Sequence, residues 1–239
     1  MPRTIMPKTV VVTGAAQGLG RAIARAFHAA LWRVALLDID ERGLAELQGE
    51  LGNRVRIYPV DLTDEGATQA VIGRVMDDYG FIDTLVHNAA ILVPEPLETL
   101  AFARWQATLN IGVQAGFLLT QAVWPGMKGR GGCLIYVSSR SGIEGFADES
   151  AYCATKHGLE GLMKCAALEG GPHNICAYTV TPGMYMHTPM SERTYSDDLK
   201  AKWVEPEVLA PAFVALATRA DASLSGRRLS AWELVQAGL

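Results

Sequence analysis

The 239-residue chain is poor in charge and in cysteine and has no long apolar run, and each shortage closes off a class of function. Charged residues are 19% against 49% hydrophobic, a balance that suits a well-buried globular chain and excludes a disordered one. The net charge is −4 and the longest basic cluster is Arg227-Arg228, which argues against nucleic acid as a partner. No uninterrupted apolar stretch approaches the ~20 residues a bilayer span needs, and the first eight residues lack a signal-peptide core. The expectation is a cytoplasmic protein without membrane contact. The four cysteines, Cys133, Cys153, Cys165 and Cys176, show no C-x-x-C spacing and stand among apolar residues, which reads as buried thiols and not as disulfides or metal ligands. With no Pro/Gly/Ser-rich linker, tandem repeat or low-complexity tract, residues 1–239 are expected to form one domain.

What is present is a recurring alternation of short apolar runs with stretches of helical period. The runs are Lys8–Thr13, Arg33–Asp38, Val55–Pro59, Thr84–Asn88, Gly132–Ser138 and Ile175–Thr181. Each is continuous instead of alternating, as in strands covered by helices on both faces, and the intervening segments are long enough for crossover helices. This predicts a doubly wound α/β fold with six or seven parallel strands. The stretch from 181 to 205 is the least regular, with Pro182, Gly183, Pro189 and many polar residues, and residues 183–205 are expected to form a loop over the ligand.

The first run ends in Thr13-Gly14-Ala15-Ala16-Gln17-Gly18-Leu19-Gly20 and leads into an apolar-periodic helix. Glycines there permit a tight turn and close backbone approach, and the helix N-terminus aims N–H groups at a pyrophosphate. The second run ends at Asp38, where a carboxylate can accept hydrogen bonds from ribose hydroxyls. Gln17 and Ile39 supply no cation for a 2′-phosphate, which at about 4 Å from a carboxylate would cost on the order of 4 kcal/mol per unit charge. The cofactor is therefore expected to be NAD and not NADP. Further contacts are expected at the ends of the third and fourth runs, from Asp61 and Leu62 and from Asn88 and Ala89. Asp61 and Thr63 could equally cap the helix that follows.

Tyr152 and Lys156 stand at i, i+4 on one helix face, so the phenol and the ammonium can share a site, with the cation favouring the phenolate. A strand-like run upstream delivers Ser138-Ser139 to the carboxyl edge of the sheet, where a hydroxyl can support charge developing on a substrate oxygen. The ordered set Thr13 to Gly20, Asp38, Asp61, Asn88-Ala89, Asn110, Ser139, Tyr152, Lys156 and Pro182-Gly183 resembles the short-chain dehydrogenase/reductase family over nearly the whole chain. The resemblance implies a Rossmann fold and hydride transfer between a nicotinamide and a secondary alcohol or ketone. It assigns Tyr152 as acid/base, Ser139 as the group orienting the substrate oxygen, Lys156 as binding the nicotinamide ribose, and Asn110 as holding a water behind Lys156. It also implies a homodimer or homotetramer.

The chain departs from the family pattern in places. His87 and Ala90 replace residues of a motif usually read Asn-Asn-Ala-Gly, and His87 is expected to be a hydrogen-bonded sheet residue. Leu31-Trp32 stands where relatives end a helix with glycine. Thr188 lies six residues beyond Pro182 instead of the usual five, which puts its nicotinamide contact in question. The substrate is expected to meet Arg140, Ser141, Glu144, Glu149, Tyr185 and His187, with Val93, Met184 and Met186 nearby. That mixture favours a small polar alcohol such as a polyol, sugar or hydroxy acid. Reduction of a 3-oxoacyl thioester or an aromatic ketone, and a nucleotide sensor without turnover, stay open as alternatives.

Overall fold

In the computed structural model, which describes residues 7–238, seven strands form one parallel sheet. They are β1 (Thr9–Thr13), β2 (Arg33–Asp38), β3 (Val55–Pro59), β4 (Thr84–His87), β5 (Gly132–Val137), β6 (Ile175–Thr181) and β7 (Arg228–Ser230). Their spatial order is β3-β2-β1-β4-β5-β6-β7. The six apolar runs are the first six strands, and a seventh, β7, closes the sheet beyond β6.

Continuous apolar runs are explained by what lies on each face. Along β1, Val10 and Val12 join one core cluster and Val11 the other; along β5, Ile135 and Val137 face one way and Leu134 and Tyr136 the other. Neither face of these strands meets water, so alternation has nothing to select. Helix α1 (Gly18–Ala29) and the later α9 (Pro206–Arg219) cover the first face, together with α2 (Glu41–Leu51) and α10 (Ala231–Gln236). Helices α3 (Glu65–Tyr79), α5 (Ala115–Arg130) and α6 (Ser150–Gly170) cover the second, and α4 (Phe102–Leu109) packs on α6. Each fully buried Val, Leu, Ile or Phe contributes about 1.5–3 kcal/mol to this arrangement.

Three details depart from the sequence reading. The irregular stretch over the sheet edge contains two short helices, α7 (Pro189–Thr194) and α8 (Asp197–Lys200). Its base is closed by a bridge between Met186 and Val204, with His187 N–H donating to the Val204 carbonyl at 3.0 Å and Val204 N–H to the Tyr185 carbonyl at 2.8 Å. The cap of α3 is Asp64, which accepts from Ala67 N–H, and not Asp61 or Thr63. Asp61 instead accepts from the Thr63 backbone and hydroxyl, because an Asx turn two residues long reaches no helical N–H. Cys165 is exposed on α6, whereas Cys133, Cys153 and Cys176 are buried as expected.

The missing glycine after α1 has a specific consequence. Leu31 takes the left-handed conformation at φ 67°, and its N–H bonds the His28 carbonyl while Trp32 N–H bonds the Phe27 carbonyl. This is a Schellman closure, and its accompanying apolar contact is present as Phe27 and Trp32 rings meeting edge-on at 5.0 Å. Leu31 itself is 69% exposed, so it bears the backbone strain without gaining burial. Leu31→Gly is expected to raise stability by about 1 kcal/mol, read as a shifted urea midpoint with unchanged m-value.

Candidate active site

The strand order reverses between β1 and β4, the place where open α/β sheets bind ligands beyond their carboxyl ends. The Gly-rich turn follows β1 there. A Cβ on Gly20 would stand 2.0 Å from the Gly14 carbonyl oxygen, so the turn closes on the helix only because Gly20 has no side chain. Gly14 and Gly18 hold positive φ of 63° and 54°. Helices α2 and α3 are capped by the Asp40 and Asp64 side chains, but Gln17 makes no side-chain cap on α1. The first N–H groups of α1 therefore remain for an outside anion. Asp38 holds the rim: its carboxylate accepts from Ala16 N–H and Asp40 N–H, both at 3.0 Å, and retains acceptor capacity for hydroxyl donors. Ile39 is exposed beside it, and Leu62 is buried behind the exposed Asp61. A dinucleotide fits this cradle: Gly14, Gln17, Gly18, Leu19 and Gly20 could hold its pyrophosphate and Asp38 its adenosine ribose.

The two sides of the switch point are joined through Thr13 and His87. The Thr13 hydroxyl accepts from the N–H groups of Asn88 and Ala89 and lies 3.0 Å from His87 Nδ1. His87 Nε2 donates to the Gly112 carbonyl at 2.8 Å, which leaves Nδ1 as the acceptor of the Thr13 proton. The Asn88 amide reaches back to the Thr13 and Gly14 carbonyls. Gly112 lies in a π-helical turn, Asn110–Gln114, that separates α4 from α5. A Cβ on Gly112 would meet the Thr155 methyl at 2.0 Å, so the turn presses directly on α6 beside Lys156. Asn110 opens this turn.

Burial holds His87 neutral by lowering its pKa to about 4 from 6.5, against the hydrogen bond to Gly112 that raises it. A group depressed in the fold contributes stability above its unfolded pKa and loses it as pH falls toward the folded one. Stability is thus expected to fall by about 1.4 kcal/mol per pH unit from this residue alone between pH 6.5 and 4. His87→Asn should flatten that part of the acid limb in urea unfolding at a series of pH values; an unchanged slope would show that His87 is not neutral in the fold.

The chemical residues line the same edge. Ser139 follows β5 and Tyr152 stands in the first turn of α6, with the Ser139 hydroxyl near enough to the Tyr152 phenol to favour its anion. Lys156 is buried, donates to the Val137 carbonyl at 2.7 Å, and lies 5.3 Å from the Tyr152 ring centre. The Tyr152 phenol is pushed well above its usual pKa by burial first, then by Tyr195 and Glu149, while Ser139 lowers it. Lys156 is brought down by burial to about 8, with Glu160 opposing. In the protein alone the ammonium thus serves the strand end and the ring face, a different arrangement from direct support of the phenolate.

A buried polar network that apolar periodicity does not reveal anchors this wall. Ser138 points away from the site and donates to Glu160, which is buried one turn beyond Lys156 and also accepts from Thr179 at 2.7 Å. Arg228 on β7 lies 3.3 Å from Glu160 and donates to the Ser139 carbonyl at 3.1 Å. An acid on the buried face of α6, four residues after Lys156, was the available signal.

Pro182 and Gly183 abut the C-terminal strand and helix: Trp232 N–H donates to the Pro182 carbonyl at 3.1 Å, and a Gly183 Cβ would meet Ser230 Oγ at 2.2 Å. Thr188 caps α7 through Ser191, and its side chain lies 3.4 Å from where a Gly18 Cβ would stand, over the Gly-rich turn. Of the residues expected at the substrate, Ser141 and Glu149 are hydrogen-bonded to each other at 3.1 Å beside Ser139 and Tyr152. Tyr185 meets Tyr195 edge-on. Arg140 and Glu144 form an exposed pair, and His187 is occupied by Glu192, Glu205 and the Trp203 ring. Lys128 and Arg130, which with Lys164 on α6 are the basic residues that hint at a patch for an acyl carrier, end α5 at the opposite edge of the sheet.

Residues 8–199 match the short chain dehydrogenase family model. The chain is a short-chain dehydrogenase/reductase. It is 32% identical to trans-4-hydroxycyclohexanecarboxylate dehydrogenase of Sinomonas cyclohexanicum, over 95% of this chain and 92% of that one. It is 32% identical to D-threitol dehydrogenase of Mycolicibacterium smegmatis, over 93% and 90%. L-xylulose reductase of Bos taurus is 36% identical over 82% and 78%. Among solved structures, a candidate NAD(P)-dependent gluconate 5-dehydrogenase from Beutenbergia cavernae, with NADP bound at low occupancy, superposes with TM-score 0.87 at 26% identity, covering 97% of each chain. A 3-ketoacyl-(acyl-carrier-protein) reductase from Brucella melitensis shares the fold at TM-score 0.88 and 23% identity, covering 95% of this chain and 97% of that one. As a dehydrogenase of this family the chain uses a nicotinamide cofactor, and among the described residues no helix is long and apolar enough to cross a membrane.

Proposed function

We propose that this dehydrogenase uses NAD to oxidise a small polar secondary alcohol, with Tyr152, Ser139, Lys156 and Asn110 as its chemical residues. The observation that carries the reading is Ser139 beside Tyr152, over a buried Lys156, on the sheet edge shared with the Gly-rich turn and Asp38. The names of the relatives support the substrate class, since D-threitol and L-xylulose are polyhydroxylated.

Oxidation breaks the carbinol C–H and O–H bonds. A bound nicotinamide supplies the acceptor for the hydride. Tyr152 takes the hydroxyl proton, and Ser139 donates to the substrate oxygen and holds it against the phenol. Lys156, fixed on Val137, would bind the nicotinamide ribose, and Asn110 opens the turn behind it. Asn88, Ala89, Pro182, Gly183 and Thr188 complete the cofactor wall, and Asp61 and Leu62 its adenine end. Exposed Phe102, Phe117 and Leu168 on α4, α5 and α6 suit contact between copies in a homodimer or homotetramer.

Because Tyr152 accepts a proton only after losing its own, and its pKa is raised, oxidation is expected to accelerate with pH through the alkaline range and reduction to slow. Tyr152→Phe should lower kcat by about 10²-fold or more with NAD binding retained, measured by nicotinamide absorbance. Asp38 is expected to favour NAD over NADP by about tenfold or more in kcat/KM, and Asp38→Asn to narrow that ratio. Faster turnover with NADP by the unsubstituted enzyme would overturn the cofactor assignment.

A further inference from the structure

Glu149 has a place in the site that the catalytic chemistry does not use. It precedes α6 and its carboxylate accepts from the Ser141 hydroxyl at 3.1 Å, while Ser141 Oγ lies 3.3 Å from Ser139 Oγ. The carboxylate is thus two hydroxyls away from the position of the reacting oxygen. Its charge bears on the cleft from both sides, raising the proton affinity of Tyr152 on α6 and of Tyr195 beyond α7. Among the described residues it forms no ion pair. The cleft beside Tyr152 is also lined by Ile91, Val93, Thr108, Asp148 and Arg104. Arg104 is paired to Glu95 at 3.1 Å, and Arg140, the cation facing Tyr195, is paired to Glu144. The cleft therefore presents unbalanced negative charge around apolar walls, and a carboxylate can only accept hydrogen bonds.

We propose that Glu149 is the specificity-determining residue of this site, selecting alcohols with a second hydroxyl next to the reacting carbinol and rejecting those that carry a carboxylate. The inference rests on the dehydrogenase reading and narrows its substrate class from small polar alcohols to neutral vicinal diols and polyols. The neighbouring hydroxyl donates to Glu149 while the reacting oxygen is held by Ser139 and Tyr152. This fixes which of two hydroxyls is presented for oxidation. A hydroxy acid would set its anion against Glu149 and Asp148, a like-charge contact, while Arg104, the cation of the cleft lining, is already engaged by Glu95.

The test compares neutral diols and polyols of four to six carbons with hydroxy acids and simple secondary alcohols of equal length, using NAD and following absorbance. The unsubstituted enzyme is expected to favour diols over hydroxy acids by about tenfold or more in kcat/KM. Glu149→Gln should bring that ratio near unity, by losing on diols and gaining on acids, with NAD affinity and melting temperature retained. Ser141→Ala, which keeps the charge, should keep the rejection of hydroxy acids.

A pH profile supplies a readout that packing alone would not move. The titratable groups facing the Tyr152 phenol are Glu149 just before its helix, Cys153 on that helix and Tyr195 from the opposite segment, with Lys156 beneath the ring. Removing the Glu149 charge should shift the rising limb of oxidation to lower pH. Equal use of hydroxy acids and diols by the unsubstituted enzyme, or an unchanged ratio and profile in Glu149→Gln, would overturn the proposal while leaving alcohol oxidation through Tyr152 intact. Silence toward every alcohol would remove the dehydrogenase reading and this inference with it.

Discussion

A single buried hydroxyl, that of Thr13, holds together the segments on which the site depends. It accepts from two backbone N–H groups after β4 and shares its proton with His87, which in turn grips the π-helical turn through Gly112. In a parallel sheet the strands on either side of a switch point end without a covering connection, and their last polar groups need partners. Here one side chain satisfies that need and sets the distance between the Gly-rich turn and Asn88. The chain works only with a neutral imidazole, because Nδ1 must accept and Nε2 must donate.

A second buried network does for the chemical residues what Thr13 does for the cofactor cradle. Glu160 collects Ser138, Thr179 and Arg228, and Arg228 returns to the carbonyl of Ser139. The main chain at Ser139 is thereby fixed from behind while its hydroxyl faces the site. Removing either partner of such a buried pair would leave an uncompensated charge, which is why the acid and the arginine stand or fall together.

Much of this was legible in the sequence because the legible parts have local causes. Arg33–Asp38, Val55–Pro59 and Ile175–Thr181 appear as strands with the bounds their apolar runs suggest, since burial on both faces writes itself as continuity. Tyr152 and Lys156 share a face because four residues make about one helical turn. Long-range partners left no such mark. Nothing near Arg228 in the chain says that it meets Glu160, and nothing near Asn110 says that its helix loosens into a π turn against Thr155. The closure of α1 shows the intermediate case: the absent glycine was visible at Leu31, but that Leu31 would adopt the left-handed conformation depended on the Phe27–Trp32 contact.

Burial moves the two proton-handling groups in opposite directions, and that is the physical basis for treating them as a unit. Taking a phenol out of water disfavours its anion, and taking an ammonium out of water disfavours its cation, so Tyr152 rises and Lys156 falls to about 8. In water a lysine holds its proton about as firmly as a tyrosine does. At this sheet edge the order separates, with Lys156 the more willing to release. A proton arriving on Tyr152 therefore lies beside a lysine whose own proton is loosely held, while Glu160 keeps that lysine from becoming permanently neutral. The same low-dielectric wall that makes Tyr152 a reluctant acid makes its neighbour a ready one, and both effects come from the close packing of α6 against β5.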